Sequence, residues 1–126
     1  MGGKILRVTM FKIPEKENQL KLAENYKRLS TEALKVRFQY MMIRSFRRLN
    51  RNKDGKPYIL SLQAGPTIED SRSNGFTFVA KTEFASLEDM KYYDEEDQVH
   101  LSLKKTAMKL NIQEIVILYA QPLVTL

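Results

Sequence analysis

His100 is the only histidine of the chain, and there is no cysteine. A lone imidazole is the one side chain whose ordinary pKa lies near neutrality. It can serve as a general base if a neighbour orients it, but it cannot form a multi-histidine metal site. Without cysteine there is no thiolate nucleophile, no thiolate metal site and no disulfide framework. Tyr93 and Tyr92 lie just upstream and are the hydroxyls placed to orient His100 toward a phenol or carbonyl. Arg7, Thr9, Ser61, Gln63 and Tyr119 fall at alternate strand positions. Polar groups converging from such positions into an apolar pocket would fix a small ligand. The competing reading makes His100 a capping or core histidine and turns some of the strand residues to solvent.

Other polar clusters have simpler explanations. Asp94, Glu95, Glu96 and Asp97 open a helix, where acids complement the helix dipole without a metal. Asp70 and Arg72 read as a loop ion pair. There is no glycine-rich phosphate loop, nucleophile elbow or HExxH motif. The expectation is therefore no metal and no cofactor.

The elements that must position these residues follow from periodicity. Ile5 to Ile13 alternates as a strand. Pro14, as a first helical residue, with Glu15 and Glu17 behind it, starts a helix. Its buried stripe is Leu22, Tyr26, Leu29 and Ala33. A second strand runs from Tyr58 to Ala64, with Tyr58, Leu60, Leu62 and Ala64 on one face, and Gly65-Pro66 ends it. Phe76 to Phe84 is a third strand. Ser86 and Asp89 resemble a capping box at the start of a short helix ending near Tyr93. A further helix spans about Glu95 to Leu110, with Val99, Leu103, Ala107 and Leu110 as its stripe and His100 one step beside it. Asn111 suits its C-terminal end. Ile115 to Ala120 is the last strand. The order β-α-β-β-α-β is the ferredoxin-like α+β plan, with helices on one sheet face. The other face is bare and partly apolar, which calls for a second copy of the chain.

The 126 residues make one domain, residues 1–126. Of 21 basic residues, six (Arg37, Arg44, Arg47, Arg48, Arg51 and Lys53) lie between 36 and 53, where there is no acid. The remaining 15 match the 15 acids, so the pI near 9.5 describes a segment and not the body. Three readings compete for this insert. It is a retained intron or gene-model error, the reading favoured here, a helix extension, or an element binding nucleic acid or an anionic membrane. No signal-peptide core or apolar run of membrane-spanning length is present, and the expected compartment is the cytoplasm.

Several segments carry a family resemblance. They are Arg7-Val8-Thr9-Met10-Phe11-Lys12, Asp54-Gly55-Lys56-Pro57-Tyr58-Ile59-Leu60-Ser61, the run from Gly75 to Phe84, and Ser86 to Tyr93, with His100 on the last helix. Together they resemble the stress-response A/B barrel (Dabb) domain, in its small single-domain fungal form. The resemblance covers residues 4–35 and 54–122 and implies a homodimeric α+β barrel with a cavity in each subunit. It implies a stress-linked protein that binds a small hydrophobic or aromatic ligand without catalysis. The alternative is a cofactor-free lyase or cyclase acting on a polyketide-like or phenolic substrate, with His100 as base and Tyr93 as partner. One relative, a polyketide cyclase, uses a strand-one histidine, and Ile5 stands at that position here. Tyr93 also lies one residue further from His100 than the corresponding tyrosine of that cyclase.

Overall fold

The computed structural model describes the backbone of residues 3–47 and 58–126 and the side chains of 3–32 and 58–126. The elements are β1 (Ile5–Lys12), α1 (Lys16–Arg47), β2 (Ile59–Pro66), a 3-10 turn (Ser71–Ser73), β3 (Phe78–Phe84), α2 (Leu87–Glu95), α3 (Gln98–Ala107) and β4 (Glu114–Ala120). The four strands form one antiparallel sheet in the order β2-β3-β1-β4, the expected ferredoxin-like α+β architecture.

Alternation on the inner strands builds the core. Phe11 of β1 and Phe78, Ala80 and Phe84 of β3 turn to the helices and are buried. They meet Leu22, Tyr26 and Leu29 of the stripe expected on α1, whose fourth member, Ala33, has its side chain outside the described residues. Met90 and Tyr93 from α2, and Leu103, Ala107 and Leu110 from α3 and its exit, complete the cluster. Ser86 caps α2 by accepting from the Asp89 amide at 3.1 Å, as the sequence pattern predicts. Asn111 takes a left-handed φ of 50° just past α3, the conformation asparagine tolerates at such exits.

Four details differ from the sequence expectation. Pro14 precedes the first helix rather than opening it. Glu15 is the residue before Lys16, and its carbonyl accepts from the Asn18 and Gln19 amides. On β2 the register slips between Ile59 and Ser61, so Ile59 faces with Leu62 and Ala64 while Leu60 is left 48% exposed. A bulge puts one extra residue into a strand, which strict alternation cannot foresee. Gly65 and Pro66 are the last two residues of β2 and not a break beyond it; they pair with Val79 and Phe78, and proline is tolerated because β2 is an edge strand. Finally, His100 lies on the buried stripe of α3, three residues before Leu103, and not beside it.

The helix that begins at Lys16 continues through the positions of Arg37, Arg44 and Arg47. The side chains of these residues lie outside the described set, as do Arg48, Arg51 and Lys53 entirely. No helix among the described residues is long and apolar enough to cross a membrane.

Phe84 has no exposed surface and packs its ring against Tyr58 and Tyr93, with centroids 6.1 and 5.1 Å away. Phe84→Ala is expected to cost about 3–5 kcal/mol in urea unfolding. A loss below about 1 kcal/mol would contradict the core described above.

Candidate functional site

The site is built around a charge inside the fold. Arg7, on inner strand β1, is only 4% exposed. A guanidinium buried alone would cost several kcal/mol, so it must find partners. Its Nη2 donates to Asp94 Oδ1 at 2.8 Å and its Nη1 to Thr9 Oγ1 at 2.8 Å. The Tyr93 ring lies under it, 5.4 Å from centroid to guanidinium carbon. Lys104 of α3 reaches the same acid, with Nζ 2.5 Å from the Asp94 carbonyl oxygen and 3.4 Å from Oδ1. Burial opposes ionisation of Asp94, but Arg7 and Lys104 outweigh it and hold the carboxyl below its ordinary pKa. Two cations therefore share one carboxylate.

His100 is 2% exposed and held through its ring. The imidazole stacks on Tyr93, centroids 3.8 Å apart and planes 16° apart. Its Nδ1 lies 2.8 Å from the Tyr93 carbonyl oxygen. A carbonyl only accepts, so Nδ1 carries the proton and Nε2 the lone pair. Burial pushes the pKa down from 6.5 to about 4; the bond to the Tyr93 carbonyl opposes this, while Arg7 and Lys104 add to it. His100 is thus a neutral base at physiological pH, in one tautomer. Among the described residues the side-chain atoms sealed from water without a partner are Arg7 Nε and Tyr93 Oη. His100 Nε2 is not one of them, and this nitrogen stays open.

It opens on a cavity of about 420 Å³ between the sheet and α3. Arg7, Thr9 and Phe11 form the β1 wall, and Tyr26 comes from α1. His100, Leu103, Lys104, Ala107 and Met108 form the α3 side, with Ile112, Ile115 and Ile117 closing toward β4. A small polar cluster at one end of an apolar chamber is the ordinary make-up of a small-molecule site. Tyr26 also offers its hydroxyl here, with a pKa raised to about 12, mainly by burial.

The backbone break between α2 and α3 sets this geometry. Asp97 caps α3 by accepting from the Val99 and His100 amides at 2.9 and 3.1 Å. Its other carboxylate oxygen accepts the Tyr58 hydroxyl, tying the head of α3 to the entry of β2. The acidic run is thereby divided: Asp94 neutralises Arg7 and Asp97 caps a helix.

Of the residues singled out from sequence, the structure brings Arg7, Thr9 and His100 together on the cavity wall. Tyr93 touches His100 through its ring face and carbonyl, and its phenol is buried away from the imidazole edge. Tyr92 packs edge-on against Tyr58 at 5.2 Å and does not line the cavity. Ser61 and Gln63 pair with Glu83 and Lys81 on the sheet face away from the helices. Alternation with Leu62 and Ala64, which face the helices, puts them there. Tyr119 lies opposite Arg7 across β1 and β4, on the cavity side of the sheet but 55% exposed beyond its rim. Sequence reasoning assigned Tyr26 to the core and Lys104 to no role. The signal for Lys104 is its spacing, four residues after His100 and so on the same helix face.

Known proteins fit this description. The model of the stress responsive A/B barrel domain matches residues 5–118. The chain belongs to the Dabb family. A fusaristatin A biosynthesis cluster protein of Gibberella zeae is 35% identical over 125 residues, spanning 99% of this chain and 78% of that one. The hydroxynitrile lyase of Passiflora edulis superposes with a TM-score of 0.67 at 14% identity, covering 100% of this chain and 99% of the lyase. A dimeric ferredoxin-like protein from a Jannaschia species gives 0.68 at 11% identity, covering 95% and 100%. These distant structures establish a shared fold alone.

One consequence concerns protons. In the unfolded chain His100 titrates near 6.5, and in the fold near 4. Between these values the unfolded state binds more protons, so stability falls as the pH drops from 6.5 to 4. The full span is worth about 3 kcal/mol. His100→Gln should flatten this acid limb in urea titrations. The single imidazole resonance should titrate below pH 5 in NMR, and a midpoint near 6.5 would refute the buried neutral ring.

Proposed function

We propose that this Dabb chain is a homodimer that binds a small, largely apolar molecule in the cavity between sheet and α3. The observation that carries the reading is the 420 Å³ chamber, with its apolar walls and one polar end built from Arg7, Thr9, Tyr26, His100 and Lys104. The relative from a fusaristatin A biosynthesis cluster supports a reading in small-molecule chemistry. Dimer formation would cover the helix-free sheet face. Leu6, Val8, Met10, Val116 and Leu118 present an apolar patch there, and Leu118 is 55% exposed. Solved relatives of the same fold are described as dimeric.

A specific observation favours a second reading, cofactor-independent lyase or cyclase chemistry. His100 has one nitrogen committed to a carbonyl and the other free, at a pKa that keeps it neutral. Such a ring can take a proton from a bound molecule without a metal, while Arg7, Tyr26 and Lys104 stand where an oxyanion would need donors. A structural neighbour is a hydroxynitrile lyase. The strand-one position holds Ile5, so any such reaction relies on His100 as the sole imidazole.

Two experiments test these readings. Val8→Asp with Leu118→Asp should convert a dimer into a monomer in sedimentation velocity; an unchanged dimer would place the interface elsewhere. A thermal-shift screen of aromatic and medium-chain compounds should give hits that stabilise by about 2.7 kcal/mol at 100 times their Kd. Ala107→Trp, which fills the chamber, should abolish the shifts. Hits that survive this change bind outside the cavity. His100→Gln should leave the shifts in place under pure binding and remove turnover of a hit under the catalytic reading.

A further inference from the structure

The polar end of the cavity is not electrically balanced. Arg7 and Lys104 both lean on Asp94, Arg7 Nη2 at 2.8 Å and Lys104 Nζ at 3.4 Å from its Oδ1. His100 faces the same space as a neutral ring, because burial disfavours its charged form, and its Nδ1 proton is directed to the Tyr93 carbonyl. The facing titratable groups therefore add to one excess positive charge. Asp94 stands behind the two cations, and no acid is among the residues lining the chamber. Beyond Thr9 and Tyr26 the wall is Phe11, Leu103, Ala107, Met108 and three isoleucines, so the charge has little polar company. The donors outnumber the acceptors as well. Arg7 spends two of its five N–H groups on Thr9 and Asp94, and its Nε is sealed without a partner. Tyr26 adds a hydroxyl that makes no hydrogen bond among the described residues.

Arg7 is matched by Asp94, so the surplus charge sits on half-exposed Lys104 at the edge of the chamber, within reach of a bound anion. A guanidinium and an ammonium around one point suit a delocalised pair of oxygens. From the shared carboxylate and the uniform apolar remainder, we propose that the cavity selects an amphiphilic monoanion. It has an apolar body of aryl or medium-chain size and a single carboxylate head, seated against Arg7 and Lys104 beside Asp94. This rests on the ligand-binding reading above and adds the charge of the ligand. The body lies against α3 and β4. The head displaces part of the Lys104 contact with Asp94, since Lys104 is the more exposed of the two cations, at 42% against 4%.

The test is calorimetric titration at pH 7.5 with 4-butylbenzoate and its neutral isostere 4-butylbenzamide. The carboxylate is expected to bind at least tenfold more tightly than the amide. Lys104→Met, a change at a half-exposed position that the fold should bear, is expected to shrink the ratio below threefold, chiefly by weakening the carboxylate. Asp94→Asn removes the competing charge but keeps an oxygen for Arg7, and is expected to tighten benzoate binding severalfold. A merely structural Asp94 would not improve binding when replaced. Equal binding of the two compounds overturns the charge selection and leaves cavity binding standing. Failure of both to bind at millimolar concentration overturns the selection and the cavity reading together. A preference unaltered in Lys104→Met places the anion elsewhere and also overturns the proposal.

Discussion

The structure depends on a guanidinium placed inside the sheet. Arg7 projects from an inner strand into the layer between sheet and helices, a place where a lone charge is not tolerated. Its demand for an anion fixes Asp94 at the end of α2, and with it the point at which that helix gives way to α3. Asp94 in turn draws Lys104, one helix later. Tyr93, next to Asp94, is thereby laid under both the guanidinium and the imidazole. An apolar residue at position 7 would fill the same volume and release every one of these constraints. The charge is thus hard to explain as packing, and easier as equipment for the cavity it borders.

The break between α2 and α3 has a second consequence. A continuous helix would carry Tyr93 and His100 seven residues apart on one face, roughly two turns from contact. Ending α2 at Glu95 and restarting at Gln98 folds that distance away and sets ring on ring at 3.8 Å. The Tyr93 carbonyl, near the frayed end of α2, is free to accept from Nδ1 because helix ends leave such carbonyls unpaired. The tautomer of His100 is therefore a by-product of helix termination. Asp97 holds the restart in place from both sides, through the α3 amides and the Tyr58 hydroxyl.

Local chemistry made much of this legible in advance. The α1 stripe, the Ser86 cap, the exit at Asn111 and the alternation of β1 and β3 all arise from contacts within a few residues, and the fold class followed from element order. The long-range pairings were hidden. Arg7 and Asp94 are 87 positions apart, and nothing in the acidic run tells Asp94 from Glu95 or Glu96. The bulge at Leu60 was equally silent, and it moves Ile59 onto the core face with Leu62 and Ala64. The sequence joined Tyr93 to His100 through its hydroxyl, whereas in the fold the two meet through the Tyr93 ring and carbonyl.

The uncovered β4 joins the two halves of the fold. Helices pack chiefly over β1 to β3, so Ile115 and Ile117 line the cavity on one side yet remain 48% and 44% exposed. Their strand neighbours Val116 and Leu118 point to the opposite sheet face, because side chains alternate along a strand. The same strand thus supplies a cavity wall with one set of residues and an apolar outer patch with the other. A body docking on that patch would stiffen β4 and, through it, the chamber. Association and ligand binding would then share one strand, and anything that loosens the outer face should weaken the inner one. Coupling of this kind needs no moving lid, only an edge strand whose two faces serve different partners.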